Sequence, residues 1–236
     1  TVNASAYGYK KDQVAVLDIE SISENTHKEV EYYLKKFKSE NVDKMVIDLR
    51  SNTGGYVSTV IEICSMFVGK GKPVLYELDR NEKMDDYKTK DTNVYTFDDI
   101  VILVDENTAS AAEVMATCLK THLNATLVGT NTYGKGTVQV SKLFNDGSYI
   151  KYTIAEWLTA DKKKINGIGV KPDVEENLHP VLTHVMSSPK EPYKVDSVGT
   201  LVKDAQLCLD FLGYKVDRMD GYFSTQTLNA LHAFQK

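Results

Sequence analysis

Two short apolar runs, Lys44–Leu49 (KMVIDL) and Ile100–Val104 (IVILV), each end in a polar turn that leads straight into a helical pattern. Runs of this length, flanked by turn residues and followed by helical periodicity, are buried strands of a layered α/β core. The first run leads into Arg50-Ser51-Asn52-Thr53-Gly54-Gly55 and the second into Asp105-Glu106-Asn107-Thr108-Ala109-Ser110. Ends of buried strands, where helices begin, are where α/β proteins collect their chemistry.

The flanking segments fit the same scheme. Val14–Ile19 is expected as a first strand. Thr26 and Glu29 form a capping-box pattern ahead of a helix over 27–39, with Val30, Tyr33, Leu34 and Phe37 on its apolar face. A second helix presents Val57, Val60, Ile61, Cys64 and Phe67, and a third presents Ala111, Val114, Met115, Cys118 and Leu119. Pro73–Leu78 and Leu127–Val128 are expected strands, and the polar segment Asp79–Asp99 a surface excursion. Thr137–Leu143 and Tyr149–Trp157 read as a hairpin closed by Asn145-Asp146-Gly147-Ser148.

Near Ser187-Ser188-Pro189-Lys190-Glu191-Pro192 the composition changes to that of a linker. The expected organisation is a core over 1–186, a linker over 187–195 and a small all-α module over 196–236. In that module one helix face carries Val198, Leu201, Ala205, Cys208 and Leu212, and a second helix spans Thr225 to Phe234. The pattern stops inside that last helix, so the module is expected to be incomplete, and with no initiator Met at Thr1 the chain is expected to be a processed or trimmed piece.

A net charge of −5 gives no general reason to expect nucleic-acid binding, and no apolar run is long enough for an integral membrane segment. Cys64, Cys118 and Cys208 form neither a disulfide framework nor a zinc pattern. Cys64 and Cys118 sit on apolar helix faces, as small buried hydrophobes do.

Ser110 stands where a buried strand gives way to a helix. The helix's partial positive end favours negative charge there, which suits a nucleophile. Ser110-x-x-Glu113 is equally a capping box. As bases for a serine, the five histidines lack an acid-and-turn context, and His122 lies about 18 Å along Ser110's own helix. No G-x-S-x-G elbow occurs, which leaves a Ser-His esterase as the weaker enzyme alternative.

A lysine also serves as base where its charged form is disfavoured. Lys135 lies between Gly134 and Gly136 ahead of a strand, on which Lys135, Thr137 and Gln139 share one face. Gln139 can then hold the lysine amine without adding charge, although Gly-Lys-Gly is also an ordinary solvated turn. Gly54-Gly55 offers backbone N–H groups which, with that of Ala111, form a potential oxyanion hole; the alternative is a plain helix cap. Gly129-x-x-x-x-Gly134-Lys135 matches part of a phosphate-binding loop. Gly136 follows instead of Ser or Thr, and a strand instead of a helix, so both context requirements fail.

Together the segments resemble the carboxyl-terminal processing peptidases, or tail-specific proteases, S41-type serine peptidases. Asp48–Gly55 (DLRSNTGG), Asn107–Glu113 (NTASAAE), Gly129–Gln139 (GTNTYGKGTVQ) and Gly167–Asp173 (GIGVKPD) carry the match, in order, over about the first 180 residues. The resemblance implies a crotonase/Clp-protease-like peptidase core. It also implies Ser110 as nucleophile, Lys135 as general base with Gln139 supporting it, and an oxyanion hole lined by Ala111 and by Gly54 or Gly55. The 25-residue interval from Ser110 to Lys135 agrees with the family's usual spacing. The implied activity is cleavage of proteins with a free C-terminal tail, without metal or cofactor.

Ala112 stands where the family often has a second serine, and nothing ahead of Val14 is long enough for the PDZ domain that members usually carry. Residues 193–236 resemble three-helix peptidoglycan-binding modules through Gly199, Val202, Gln206, Leu209, Leu212-Gly213-Tyr214, Asp220–Phe223, Thr227 and Phe234-Gln235. This resemblance implies a possible peptidoglycan partner and an extracytoplasmic location in the cell envelope or outside the cell. The alternative from another class is a degenerate, non-catalytic scaffold associated with the wall.

Overall fold

The computed structural model describes residues 4–177, 181 and 192–236. The chain divides into two compact units, Thr1–Glu176 and Asn177–Lys236.

The first unit is built on a six-stranded sheet with order β1-β2-β3-β6-β7-β10. Its strands are β1 (Ala6–Lys11), β2 (Val14–Ile19), β3 (Lys44–Asp48), β6 (Asp99–Val104), β7 (Thr126–Gly129) and β10 (Val174–Glu175). β1 pairs antiparallel with β2, and every other pairing is parallel. The helices α1 (Thr26–Ser39), α2 (Val57–Val68) and α3 (Ala111–Leu123) join and cover these strands. One core unites Leu17, Ile47 and Ile102 of the sheet with Leu34, Ile63 and Met115 of the helices. α3 buries residues around most of its circumference, including Glu113 and both Cys118 and Met115, so it is an interior helix. Cys64 and Cys118 are buried free thiols, as expected.

A second, four-stranded antiparallel sheet has the order β5-β4-β9-β8. It contains β4 (Pro73–Asp79), β5 (Met84–Lys88), β8 (Thr137–Leu143) and β9 (Tyr149–Thr159).

Several expectations are corrected. β1 precedes the strand at Val14 and exposes Tyr7 and Tyr9, so it lacks the apolar run that marks a buried strand. The Asp79–Asp99 excursion contains β5, whose five residues are all exposed and carry no alternation of hydrophobicity. The Thr26–Glu29 capping box is absent. Asn25 is the N-cap, and the Glu29 carboxylate accepts the N–H groups of Ser5 (2.8 Å) and Ala6 (2.9 Å), anchoring the start of β1. Val57, expected on the inner face of α2, is exposed.

In the second unit, α4 (Thr200–Phe211) and α5 (Thr225–Phe234) are the described helices. The buried face of α4 is Val202, Gln206 and Leu209, not the stripe of Val198, Leu201, Ala205, Cys208 and Leu212. Val198 precedes the helix and is 71% exposed, and Leu212 is 53% exposed. The reason is a buried polar residue that a count of apolar spacing passes over. Gln206 donates to the Tyr222 carbonyl (2.8 Å) and to Thr227 Oγ1 (2.9 Å), and accepts the Gly221 N–H (3.0 Å). Fully satisfied, it turns α4 toward the 221–227 segment. The proposed linker residues Ser187–Glu191 lie outside the described residues.

The turns after β3 and β6 are locked together by Asp105. Its Oδ1 accepts the N–H groups of Ser51 (2.8 Å), Asn107 (3.0 Å) and Thr108 (2.9 Å), and its Oδ2 the Ser51 hydroxyl (3.1 Å). Burial acts to raise its pKa, but the bonds from Ser51, Asn107 and Thr108 outweigh it and hold the carboxyl below the ordinary value. A depressed pKa contributes stability that is present above the unfolded-state value and is lost as pH falls through the folded one. Asp105→Ala is therefore expected to lower unfolding free energy at pH 7 by about 1–3 kcal/mol. In urea titrations that deficit narrows as the pH drops below the ordinary carboxylate range; a deficit that is independent of pH contradicts the assignment.

Candidate active site

The three loops that carry the site leave the carboxyl ends of β3, β6 and β7. After β3, buried Asn52 donates to the Ile19 carbonyl (2.7 Å) and accepts the Gly54 N–H on Oδ1 (2.8 Å). Its own carbonyl accepts Ala109 N–H (3.0 Å). The β3 turn is thereby tied to both β2 and the residue before Ser110. Arg50 closes on Asp48 with Nε at 2.9 Å and Nη2 at 2.5 Å, charge-assisted bonds that fix the exit from β3.

Gly54 and Gly55 are required by close approach. A Cβ on Gly54, at φ 96°, would stand 2.7 Å from the Ala109 carbonyl and 2.9 Å from Ala111 N. One on Gly55, at φ 153°, would stand 1.9 Å from the Ile22 carbonyl oxygen. The turn therefore lies directly against the backbone of Ser110.

Ser110 is the N-cap of α3, with φ 56° and ψ −121°. A non-glycine residue in this region carries strain of about 1–3 kcal/mol, which persists only where the surroundings over-determine it. Here they do. Ala109 N–H is held by Asn52, Thr108 hydroxyl donates to Leu49 O (2.8 Å), and Ser110 N–H donates to Glu113 Oε2 (2.8 Å).

Glu113 links Ser110 to the lysine loop. It is wholly buried, and the same Oε2 accepts the Lys135 N–H (2.9 Å). Oε1 accepts the Gly134 N–H (2.8 Å) and the Thr132 hydroxyl (2.5 Å). One oxygen thus receives the backbone N–H of both residues of the proposed dyad. The capping-box reading of Ser110-x-x-Glu113 holds for the carboxylate, and the same carboxylate also gathers the lysine loop.

That loop is braced from its other side. A Cβ on Gly134 would meet Gly169 N at 2.6 Å, and one on Gly169 would meet the Thr132 carbonyl at 2.2 Å, so the Gly167–Asp173 segment packs on it backbone to backbone. Asp173 closes the segment, accepting Leu127 N–H (2.9 Å) and Lys120 Nζ (2.5 Å).

A cleft of about 350 Å³ is lined by Gly55, Ser110, Ala111, Lys135, Thr137 and Gln139, with Val57, Leu75, Val114, Val138 and Trp157 as apolar wall. Glu77, Tyr87 and Lys151 add polar groups, and the Tyr87 hydroxyl donates to Glu77 Oε2 (2.9 Å), a bond that raises the tyrosine's pKa. Ser110, Lys135, Gln139, Gly55 and Ala111 thus come together, while Gly54 is buried behind them.

Three details refine the expected geometry. Gly54 N–H is taken by Asn52, whereas among the described residues no acceptor holds the N–H of Gly55 or Ala111. Lys135 lies just ahead of β8 and lines the cleft together with Thr137 and Gln139; the register shift between Val138 and Gln139 comes from an extra residue, Ile154, on the partner strand β9. The Gln139 amide lies 3.5 Å from Thr153 Oγ1, and no hydrogen bond joins it to Lys135 among the described residues. Also among these residues, no carboxylate pairs with Lys135 Nζ, and no cluster of His, Cys, Asp or Glu is arranged to hold a metal. His122 is engaged by the Pro73 carbonyl (2.7 Å) at the far end of α3.

Sequence reasoning passed over Trp157 except as a strand end, and read Glu113 only as a cap. Spacing holds no signal that would join Glu113 to Thr132 or Trp157 to Lys135.

Gly54→Ala is expected to displace the β3 turn from Ser110 while leaving far-UV circular dichroism unchanged. Labelling of Ser110 by a fluorophosphonate should slow by roughly tenfold or more, as misplacement of reacting groups does. Unaltered labelling would show that the close approach is dispensable.

The sequence pattern of peptidase family S41 matches residues 13–176. The carboxy-terminal processing protease CtpA of Bacillus subtilis is 35% identical over 227 residues, covering 96% of this chain and 48% of its own length. Among solved structures, the photosystem II D1 C-terminal processing protease superposes with a TM-score of 0.65 at 29% identity, over 70% of this chain and 42% of its own. Mature CPAF complexed with lactacystin superposes at 0.58 with 16% identity over 69% of this chain and 47% of its own, a likeness of fold. The chain spans about half the length of the curated relative it matches. With its α/β peptidase core and ordered motifs, the chain belongs to peptidase family S41.

Proposed function

We propose that this chain carries the catalytic core of a serine endopeptidase that cleaves proteins near their C-terminal tails. The observation that carries the reading is the shared carboxylate oxygen of Glu113, which holds the backbones of Ser110 and Lys135 on one cleft.

In this mechanism the uncharged Lys135 amine takes the Ser110 proton as Oγ attacks the peptide carbonyl. The N–H groups of Gly55 and Ala111 receive the oxyanion; each such donor is worth roughly 2.7–4 kcal/mol of transition-state stabilisation. Lys135 then protonates the leaving amine, and water, deprotonated by the same amine, hydrolyses the acyl-enzyme. Gln139, which lines the same cleft from β8, is assigned to hold the lysine side chain in the reacting complex, a bond not formed in this structure. The cleft's apolar wall accommodates an uncharged side chain beside the scissile bond. Residues 193–236, by their resemblance to wall modules, are read as a peptidoglycan-binding element, and an extracytoplasmic location in the cell envelope or outside the cell is proposed on that basis.

Ser110→Ala and Lys135→Ala are each expected to reduce cleavage of a tail-bearing protein by on the order of 10⁴-fold with the fold intact. Near-normal turnover in Lys135→Ala would remove the dyad. Fluorophosphonate labelling that is absent from the wild-type chain under all conditions would favour a non-catalytic scaffold.

A further inference from the structure

Lys135 is held at both of its peptide bonds. Its N–H goes to Glu113, and its carbonyl accepts the indole N–H of Trp157 at 2.8 Å. The Trp157 backbone N–H also donates to the Gly136 carbonyl (2.9 Å). Trp157 is only 4% exposed, lies in the interior strand β9 of the second sheet and pairs with Glu77 of β4. The indole therefore connects the second sheet to the lysine backbone, while its ring forms part of the cleft wall.

We infer that Trp157 is a positioning residue for Lys135: its indole N–H fixes the lysine's carbonyl and thereby the direction in which the side chain enters the cleft that Ser110 also lines. The chemistry of the contact is specific. Indole nitrogen is a donor only, so the bond has one polarity, and a phenyl ring keeps the wall but loses the donor. The glycines on either side of Lys135 make the restraint necessary. Gly134 has φ 83°, and glycine leaves its neighbours the widest backbone freedom. Without the carbonyl contact the Lys135–Gly136 peptide retains one side-chain anchor at Asn166 Oδ1, which accepts Gly136 N–H at 3.2 Å. The Trp157 backbone bond to Gly136 remains in any side-chain variant, so the loop stays docked while the lysine's own carbonyl is freed. This inference rests on the Ser110–Lys135 reading above.

The direct test replaces Trp157 with 3-benzothienylalanine, which preserves the bicyclic shape and substitutes sulfur for the N–H group, alongside Trp157→Phe. For hydrolysis of a tail peptide, kcat is expected to fall about tenfold or more in both variants. KM should change less than about twofold in the isostere. The pH–rate profile of the isostere should also move, because the lysine's surroundings change. Unchanged kcat and an unmoved profile, with any loss confined to KM, would reduce Trp157 to a wall residue and overturn the inference. Lys135→Ala measured in parallel separates the two levels. If it retains turnover, the dyad itself is wrong; if it is inactive while the isostere behaves as wild type, only the positioning role fails.

Discussion

A single buried carboxylate, Glu113, receives the backbone N–H of Ser110 and of Lys135 on one oxygen, and the Gly134 N–H and Thr132 hydroxyl on the other. Ser110 belongs to the β6–α3 connection, whereas Thr132, Gly134 and Lys135 belong to the β7–β8 connection, more than twenty positions later in sequence. Without a shared acceptor, two loops would each present unsatisfied N–H groups in a buried place, and each such group costs about 1–3 kcal/mol. The carboxylate converts that cost into a constraint. The start of α3 and the glycine-flanked lysine can satisfy their donors only by standing beside each other.

The rest of the core sustains this contact. Asp105 and Asn52 lock the turns after β3 and β6, so the strained Ser110 backbone cannot relax without breaking bonds to Leu49, Ile19 and Asn52. The Gly167–Asp173 segment presses on the lysine loop from the opposite side, and Asp173 ties that segment to both β7 and α3. The second sheet reaches the same loop through Trp157. The proposed dyad thus lies where two sheets, one interior helix and three loops converge, which is the preorganisation that acyl transfer would require.

Much of this was legible in the chain itself. Buried parallel strands announce themselves as Val46-Ile47 and Ile100–Val104, and the helices that cover them by apolar spacing. The motifs carrying Ser110, Lys135 and Gly55 are contiguous, so the residues of the cleft could be named together. What escaped were elements held by polar or exposed residues. β1 and β5 have few buried side chains to set a pattern. The true inner face of α4 turns on Gln206, whose burial depends on partners fifteen and more residues away. Glu29 looked like a cap and instead anchors β1, because its competing donors, at Ser5 and Ala6, lie more than twenty positions earlier. The extra residue Ile154 in β9, opposite Val138 and Gln139, likewise depends on the pairing of two strands, which no local rule supplies.

The most direct measurement is the single-turnover acylation rate of Glu113→Gln. An amide keeps the size of the side chain but replaces one acceptor oxygen with a donor, so the four converging donors cannot all be satisfied. The account predicts a folded protein whose acylation is slowed about a hundredfold or more, equivalent to roughly 3 kcal/mol in the barrier. Acylation at close to the wild-type rate, in a folded Glu113→Gln protein, would mean that Ser110 and Lys135 are aligned by something other than this carboxylate.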